Sequence, residues 1–135
     1  MAQGARAPTI PWALFGFDGR ISREIFWLSF LLVNFAGAFL TPRLPAEIVD
    51  AGPTPEIIAQ WIASQPLAIA VLFVELFALV AIFTKRLHDR GLTGWLTLVL
   101  FVPFVNIVAF LFIAFAPGNK GANGYAAGPN MRGPT

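Results

Sequence analysis

The chain of 135 residues contains no cysteine, which excludes disulfides and thiolate metal sites. It has one histidine and one tyrosine, and only 12% of its residues are charged. Soluble domains carry about twice that charge. With one His and few carboxylates, no cluster of metal ligands forms and no Ser/His/Asp or paired-carboxylate arrangement is visible. The chain therefore reads as non-enzymatic, with no metal and no cofactor. The net charge of +2 is small and its basic residues are dispersed, which gives no case for nucleic acid.

What is abundant is apolar. Hydrophobic residues make up 57% of the chain, with 14 Phe and 4 Trp, and the mean hydropathy is +0.72. A water-soluble fold of this length cannot hide that much apolar surface. The composition points to one integral membrane domain over 1–135, with irregular tails at 1–9 and 118–135.

Three uncharged or nearly uncharged stretches stand out. The first, about 25–41, follows a cap at Ser22 with Glu24 in the first turn, and Thr41-Pro42 ends it. The second, about 66–84, is interrupted only by Glu75 and ends in Lys85-Arg86, with Gly91 suited to a helix C-terminus. The third, about 95–116, contains Pro103, which predicts a kink. Each is near the length needed for a bilayer core of about 30 Å. The expected fold is thus all-α, with three transmembrane helices. Arg20 and Arg23 ahead of an apolar run ending in Ala36-Gly37-Ala38 also match a signal peptide, but the basic region starts late, so a permanent span is the better reading.

Two shorter segments accompany the spans. Residues 10–17 are apolar but short, and Pro11 can open a helix there; Trp12, Phe15 and Phe17 are expected at headgroup level. Over 54–64, Thr54 can cap and Pro55 can occupy the first turn. Ile57, Ile58, Trp61 and Ile62 then share one face of an amphipathic helix on the membrane.

Lys and Arg collect on the cytoplasmic side. With three crossings and the N-terminus inside, that side holds Arg6, Arg20, Arg23, Lys85, Arg86 and Arg90, and the other holds Arg43, Lys120 and Arg132. A third segment that turned back at Pro103 would leave only Arg43 outside. The charge rule favours that arrangement slightly. Length opposes it, since about 22 residues cannot cross twice, so three full spans are expected.

Glu75 lies near the centre of its span, where a carboxylate is costly. Asn34 and Asn106 sit near the middles of the other two. The three are expected to meet inside the bundle, as interhelical glue, a partner-facing site or a proton relay. At the membrane surface, Arg20, Arg23, Arg86, His88 and Asp89 are expected to form a hydrogen-bonded network. Gly118, Gly121 and Gly124 recur every third residue, but no strand precedes them and no helix follows, which excludes a nucleotide fingerprint and leaves a turn-rich tail.

Residues Gly19-Arg20-Ile21-Ser22-Arg23-Glu24-Ile25-Phe26-Trp27 resemble the GRxSRxEFW element of the bacterial inner-membrane family known as domain of unknown function 805. Arg86-Leu87-His88-Asp89-Arg90-Gly91-Leu92-Thr93-Gly94-Trp95 resembles its RLHDxGxSGW signature, with Thr for Ser. Pro103 and the Pro117-Gly118, Gly121, Asn123, Tyr125 tail are similar too. The tail departs at Gly124, Ala126 and Gly128, where the family has Arg, Gly and Asp. The resemblance implies a multi-pass protein of the bacterial cytoplasmic membrane and no activity. The function expected is a packing or accessory subunit, partnered by lipids and by itself or other membrane subunits. The alternatives are an oligomeric transporter or channel using Glu75, and a lipid- or envelope-stress-related protein whose basic face of Arg20, Arg23, Lys85 and Arg86 meets anionic headgroups.

Overall fold

The computed structural model describes residues 7–133, so Arg6 lies outside the described part. All regular elements there are helical: α1 Ile10–Phe15, α2 Arg23–Leu40, α3 Ala46–Asp50, α4 Pro55–Ala63, α5 Pro66–Asp89, a 3-10 segment Gly94–Phe101 and α6 Val105–Phe115. Extended pairing among the described residues is limited to the isolated bridges Arg20–Met131 and Asn123–Ala126.

Helix α2 begins where its cap predicts. The Ser22 hydroxyl accepts from the Ile25 amide, and Glu24 occupies the first turn. Helix α5 starts with Pro66 in its first turn but runs five residues past the expected end, to Asp89. Its charged last turn does not fray into water, because Lys85, Arg86 and Asp89 are all buried. Gly91, at φ +73°, closes it. Its amide donates to His88 O and that of Leu92 to Leu87 O, the paired bonds of a Schellman motif.

Helices α2 and α5 run antiparallel. Arg20 meets Asp89 at one end, the Phe26 and Phe83 rings pack edge-on at 5.1 Å below it, and Gly37 lies against Glu75 further down. These are the two helices long and apolar enough to cross a membrane, with mean hydropathies of 1.4 and 2.7; α6 is apolar but shorter. Their outer faces expose Leu28, Phe35, Phe39, Leu67 and Phe73, as a lipid-facing surface does.

The third apolar stretch is not the continuous kinked helix expected over 95–116. Eight residues of 3-10 helix lead into an extended Val102, then Pro103, then Phe104 at φ 65°, and only then α6. Pro103 lacks an amide proton and pushes the preceding residue out of the helical region, so it breaks the helix rather than bending it. Both ends of the stretch lie at the same end of α5. Gly94 packs on Thr84, and the Thr97 and Thr84 hydroxyls bond at 3.1 Å. At the return, Arg86 donates to Ile113 O at 3.1 Å and to Ala116 O at 2.5 Å. Between these ends, Phe101, Asn106 and Ile107 share a groove with Leu76 and Leu79. The arms match in length. Eight 3-10 residues rise about 16 Å and eleven α-helical residues about 16 Å. The stretch is a hairpin that descends along α5 and comes back.

Helix α4 has the expected Thr54 cap. Ile58 and Trp61 are half-buried, while Ile57 and Ile62 are exposed. Trp12 is buried against protein at 3% exposure. Its indole donates to Asp18 O at 3.0 Å. Phe15 and Phe17 stay partly exposed but pack against Phe77 of α5, which seats α1 on the bundle.

Candidate functional site: a buried charged cap

At the end of the α2–α5 pair where the hairpin leaves and returns, three charged side chains share one dry contact. Arg20, Arg86 and Asp89 are 0%, 0% and 2% exposed. Asp89 Oδ1 accepts from Arg20 Nε at 3.1 Å and Nη2 at 3.0 Å, and Oδ2 accepts from Arg86 Nη1 at 2.5 Å. One carboxylate therefore neutralises one of two buried guanidiniums. The remaining donors are satisfied by main-chain carbonyls. Arg20 Nη1 donates to Gly121 O at 2.6 Å and Nη2 to Asn119 O at 2.5 Å. Arg86 covers Ile113 O and Ala116 O, which are otherwise orphaned at the end of α6. A cation there also faces the negative end of the α6 dipole.

The tail is thereby fastened. Asn119 N donates to Asp89 O, Arg20 N to Met131 O and Ser22 N to Asn130 Oδ1. His88 joins from the side: its Nδ1 pairs with Gly19 O at 3.2 Å, Tyr125 stacks on its ring at 3.8 Å, and Asn123 donates to its carbonyl. Lys85, 0% exposed, donates to Trp12 O at 3.1 Å and to Gly16 O, and so ties α1 to α5.

Of the surface network expected from sequence, the structure brings together Arg20, Arg86 and Asp89, with His88 beside them. Arg23 is exposed and lines an adjacent polar cleft with Glu24, Asn119 and Lys120. The expected basic face toward lipid headgroups is corrected by burial, since Arg20, Lys85 and Arg86 point into protein and only Arg23 of the four is open. Sequence reasoning missed the anchoring roles of Asn119, Asn130 and Trp12. Asn123 and Tyr125 carried a signal only through the tail motif.

The expected intramembrane cluster is not assembled within the chain. The Asn34 side chain donates to Phe30 O, one turn back on its own helix, at 2.8 Å. Glu75 lines a groove with Leu14, Val33, Gly37 and Ala78, its carboxylate lying over Gly37. Asn106 lines the hairpin groove with Phe30, Leu76 and Phe110. No hydrogen bond joins the three among the described residues. No group of three potential metal ligands forms there either.

Arg20 uses its whole fork, which a lysine cannot reproduce. Arg20→Lys is expected to lose at least one charge-assisted bond, worth about 1.5–3 kcal/mol. In detergent the unfolding midpoint should fall and the tail should become protease-sensitive. A wild-type melting curve would show that the fork is dispensable.

The family model described as "Protein of unknown function (DUF805)" matches residues 14–127. The chain belongs to this family. Among its relatives is the inner membrane protein YhaI of Escherichia coli strain K12, 26% identical over 116 residues that cover 86% of this chain and 87% of the relative. The protein of the same name from Escherichia coli O157:H7 is equally similar. No solved structure matches the chain. The three elements that resemble the family's motifs converge on the cap: Arg20 from the first, Arg86, His88 and Asp89 from the second, and the carbonyls of Asn119 and Gly121 from the tail.

Proposed function

We propose that this protein is a non-enzymatic assembly subunit of the bacterial inner membrane. It crosses twice, through α2 and α5, and inserts a re-entrant hairpin from the cytoplasmic side. The observation that carries this reading is the placement of both ends of residues 94–116 at the capped end of α5. Charge supports it. The cap end gathers Arg20, Arg23, Lys85, Arg86, Arg90, Lys120 and Arg132, and Arg43 sits at the far end of α2, so the positive-inside rule puts the cap and both tails in the cytoplasm. Helix α4 then lies on the opposite leaflet, with Ile57 and Ile62 toward lipid. Arg20, Arg86 and Asp89 hold one another and main-chain carbonyls, which suits a fastening device better than an open reaction site. Transport through a joint Asn34–Glu75–Asn106 path has less support, because those residues lie apart.

Fusing a reporter after Thr135 tests the topology. A cytoplasmic signal is expected, and a periplasmic one would restore three full crossings. Extraction in mild detergent tests the role. The protein should size as a complex larger than one chain, and a strict monomer with nothing bound would sink the assembly reading.

A further inference from the structure

The hairpin and Glu75 pose linked problems that one chain leaves unsolved. Glu75 lies fourteen residues before Asp89, about 21 Å along α5 from the cap, well within a hydrocarbon core of about 30 Å. Asn106 shares its groove with Leu76, the neighbour of Glu75. From the Phe83–Phe110 contact, Asn106 lies four residues, about 6 Å, further along α6, and Glu75 eight residues, about 12 Å, further along α5; both are inside the membrane, with Glu75 about 6 Å the deeper. They face different flanks of α5, Glu75 toward α1 and α2, and Asn106 under the hairpin. Neither side chain has a hydrogen-bond partner among the described residues. Neither is sealed in: both are only half-buried.

The hairpin tip is also uncovered. Val102, Phe104, Val105 and Ile107 are 47%, 87%, 47% and 61% exposed. The backbone there is irregular, and the first turn of α6 has no side-chain cap. Broken backbone at membrane depth is tolerated where protein covers it and not where lipid does. Protein that covers this tip would also cover Asn106, whose side chain is open to a hydrogen-bonding group from a neighbour. A second copy of this chain brings one in Glu75, which is unpartnered, lines an open flank and lies about 6 Å deeper, an offset that the two side chains together can span.

We propose that the protein self-associates in the membrane, with Glu75 of one copy pairing with Asn106 of another beside the hairpin tip. This rests on the re-entrant reading above. A carboxyl pairs with a carboxamide in either protonation state, accepting from the NH2 group when ionised and also donating to the carbonyl when protonated. The contact joins two different patches, so a closed assembly repeats it reciprocally across a two-fold axis or around a ring.

The absence of native cysteine makes the test direct. Differently tagged Glu75→Cys and Asn106→Cys copies are co-expressed and oxidised in native membranes. A mixed disulfide dimer is expected. The control pairs Asn106→Cys with Phe35→Cys, a lipid-exposed site at similar depth on α2. Cross-linking no stronger than this control overturns the proposal. In detergent, Glu75→Leu should weaken self-association about tenfold, the scale of one interhelical polar contact, while Glu75→Gln keeps it. Equal association of both variants with the wild type overturns the pairing. The C-terminal reporter separates the failures: cytoplasmic without cross-linking removes the Glu75–Asn106 contact alone, and periplasmic removes the hairpin on which it rests.

Discussion

Asp89→Asn is expected to destabilise the protein by about 3–5 kcal/mol, the cost of removing one partner from a buried ionic contact. The substitution is nearly isosteric, so the effect is electrostatic. Asp89 is the carboxylate shared by Arg20 and Arg86, and all three side chains are 3% exposed or less. Without it, two buried guanidiniums retain only carbonyl partners and repel each other. The damage should spread unevenly. Arg20 holds the tail through Asn119 and Gly121, and Arg86 holds the hairpin through Ile113 and Ala116. The tail and hairpin should therefore loosen before α2 separates from α5, whose Phe26–Phe83 contact lies below the cap. Protease cleavage after residue 117 should precede loss of helical signal on heating. Glu24→Gln serves as the comparison. Its carboxylate is exposed near the same cleft, and surface changes of this kind stay within about 0.5 kcal/mol. If both variants melt like the wild type, the triad does not hold the cap.

The helical architecture was legible because it depends on local signals. Ser22 and Thr54 cap where expected, Gly91 closes α5, and composition identified the apolar surroundings. The path of residues 94–116 was not legible from hydropathy, since an uncharged run looks the same whether it crosses or folds back. Two sequence features disagreed about it. The charge distribution favoured a return and the length argument opposed it. The length argument assumed full crossings, whereas each arm of the hairpin rises only about 16 Å, short of a hydrocarbon core of about 30 Å. What decides its path is the pairing of Thr84 with Thr97 and of Arg86 with Ile113 and Ala116, long-range contacts that no local pattern encodes.

The charged cap was partly legible. Arg20, Arg86 and Asp89 were expected together because few charges exist in the chain and these flank the apolar runs. Their acceptors were not, because carbonyls belong to every residue and carry no sequence signature. For the same reason the tail docks although Gly124, Ala126 and Gly128 depart from the pattern that the rest of the tail resembles. Its contacts to Arg20 are backbone ones, and Ala126 is itself buried. For Asn34, Glu75 and Asn106 the sequence indicates depth but not direction around the helix. Asn34 turned back to its own backbone, and the hairpin carried Asn106 to a different flank from Glu75.

Of the three evenly spaced tail glycines, only Gly118 is expected to be indispensable. A β-carbon on Gly118 would sit 1.7 Å from Asp89 Oδ2, whereas at Gly121 and Gly124 nothing lies within 4 Å. Asp89 cannot swing aside to admit a methyl, since both its oxygens are held by buried guanidiniums. Gly118→Ala must therefore displace the tail or break the triad. Overpacking a tight site costs about 1–3 kcal/mol, and loss of the ionic contact would add to it. Gly121→Ala and Gly124→Ala should stay within about 0.5 kcal/mol of the wild type. A cysteine introduced at Asn123, whose side chain is docked on His88 O, gives the readout. In the Gly118→Ala background its thiol should label rapidly with a water-soluble maleimide, and in the Gly121→Ala background slowly. Because Asn123→Cys removes its own bond to His88, the comparison is made within that background, so that only the glycine varies. Equal labelling in the two backgrounds would mean that the tail does not depend on close approach of residue 118 to the buried carboxylate, and that the glycine spacing has no structural basis in the cap.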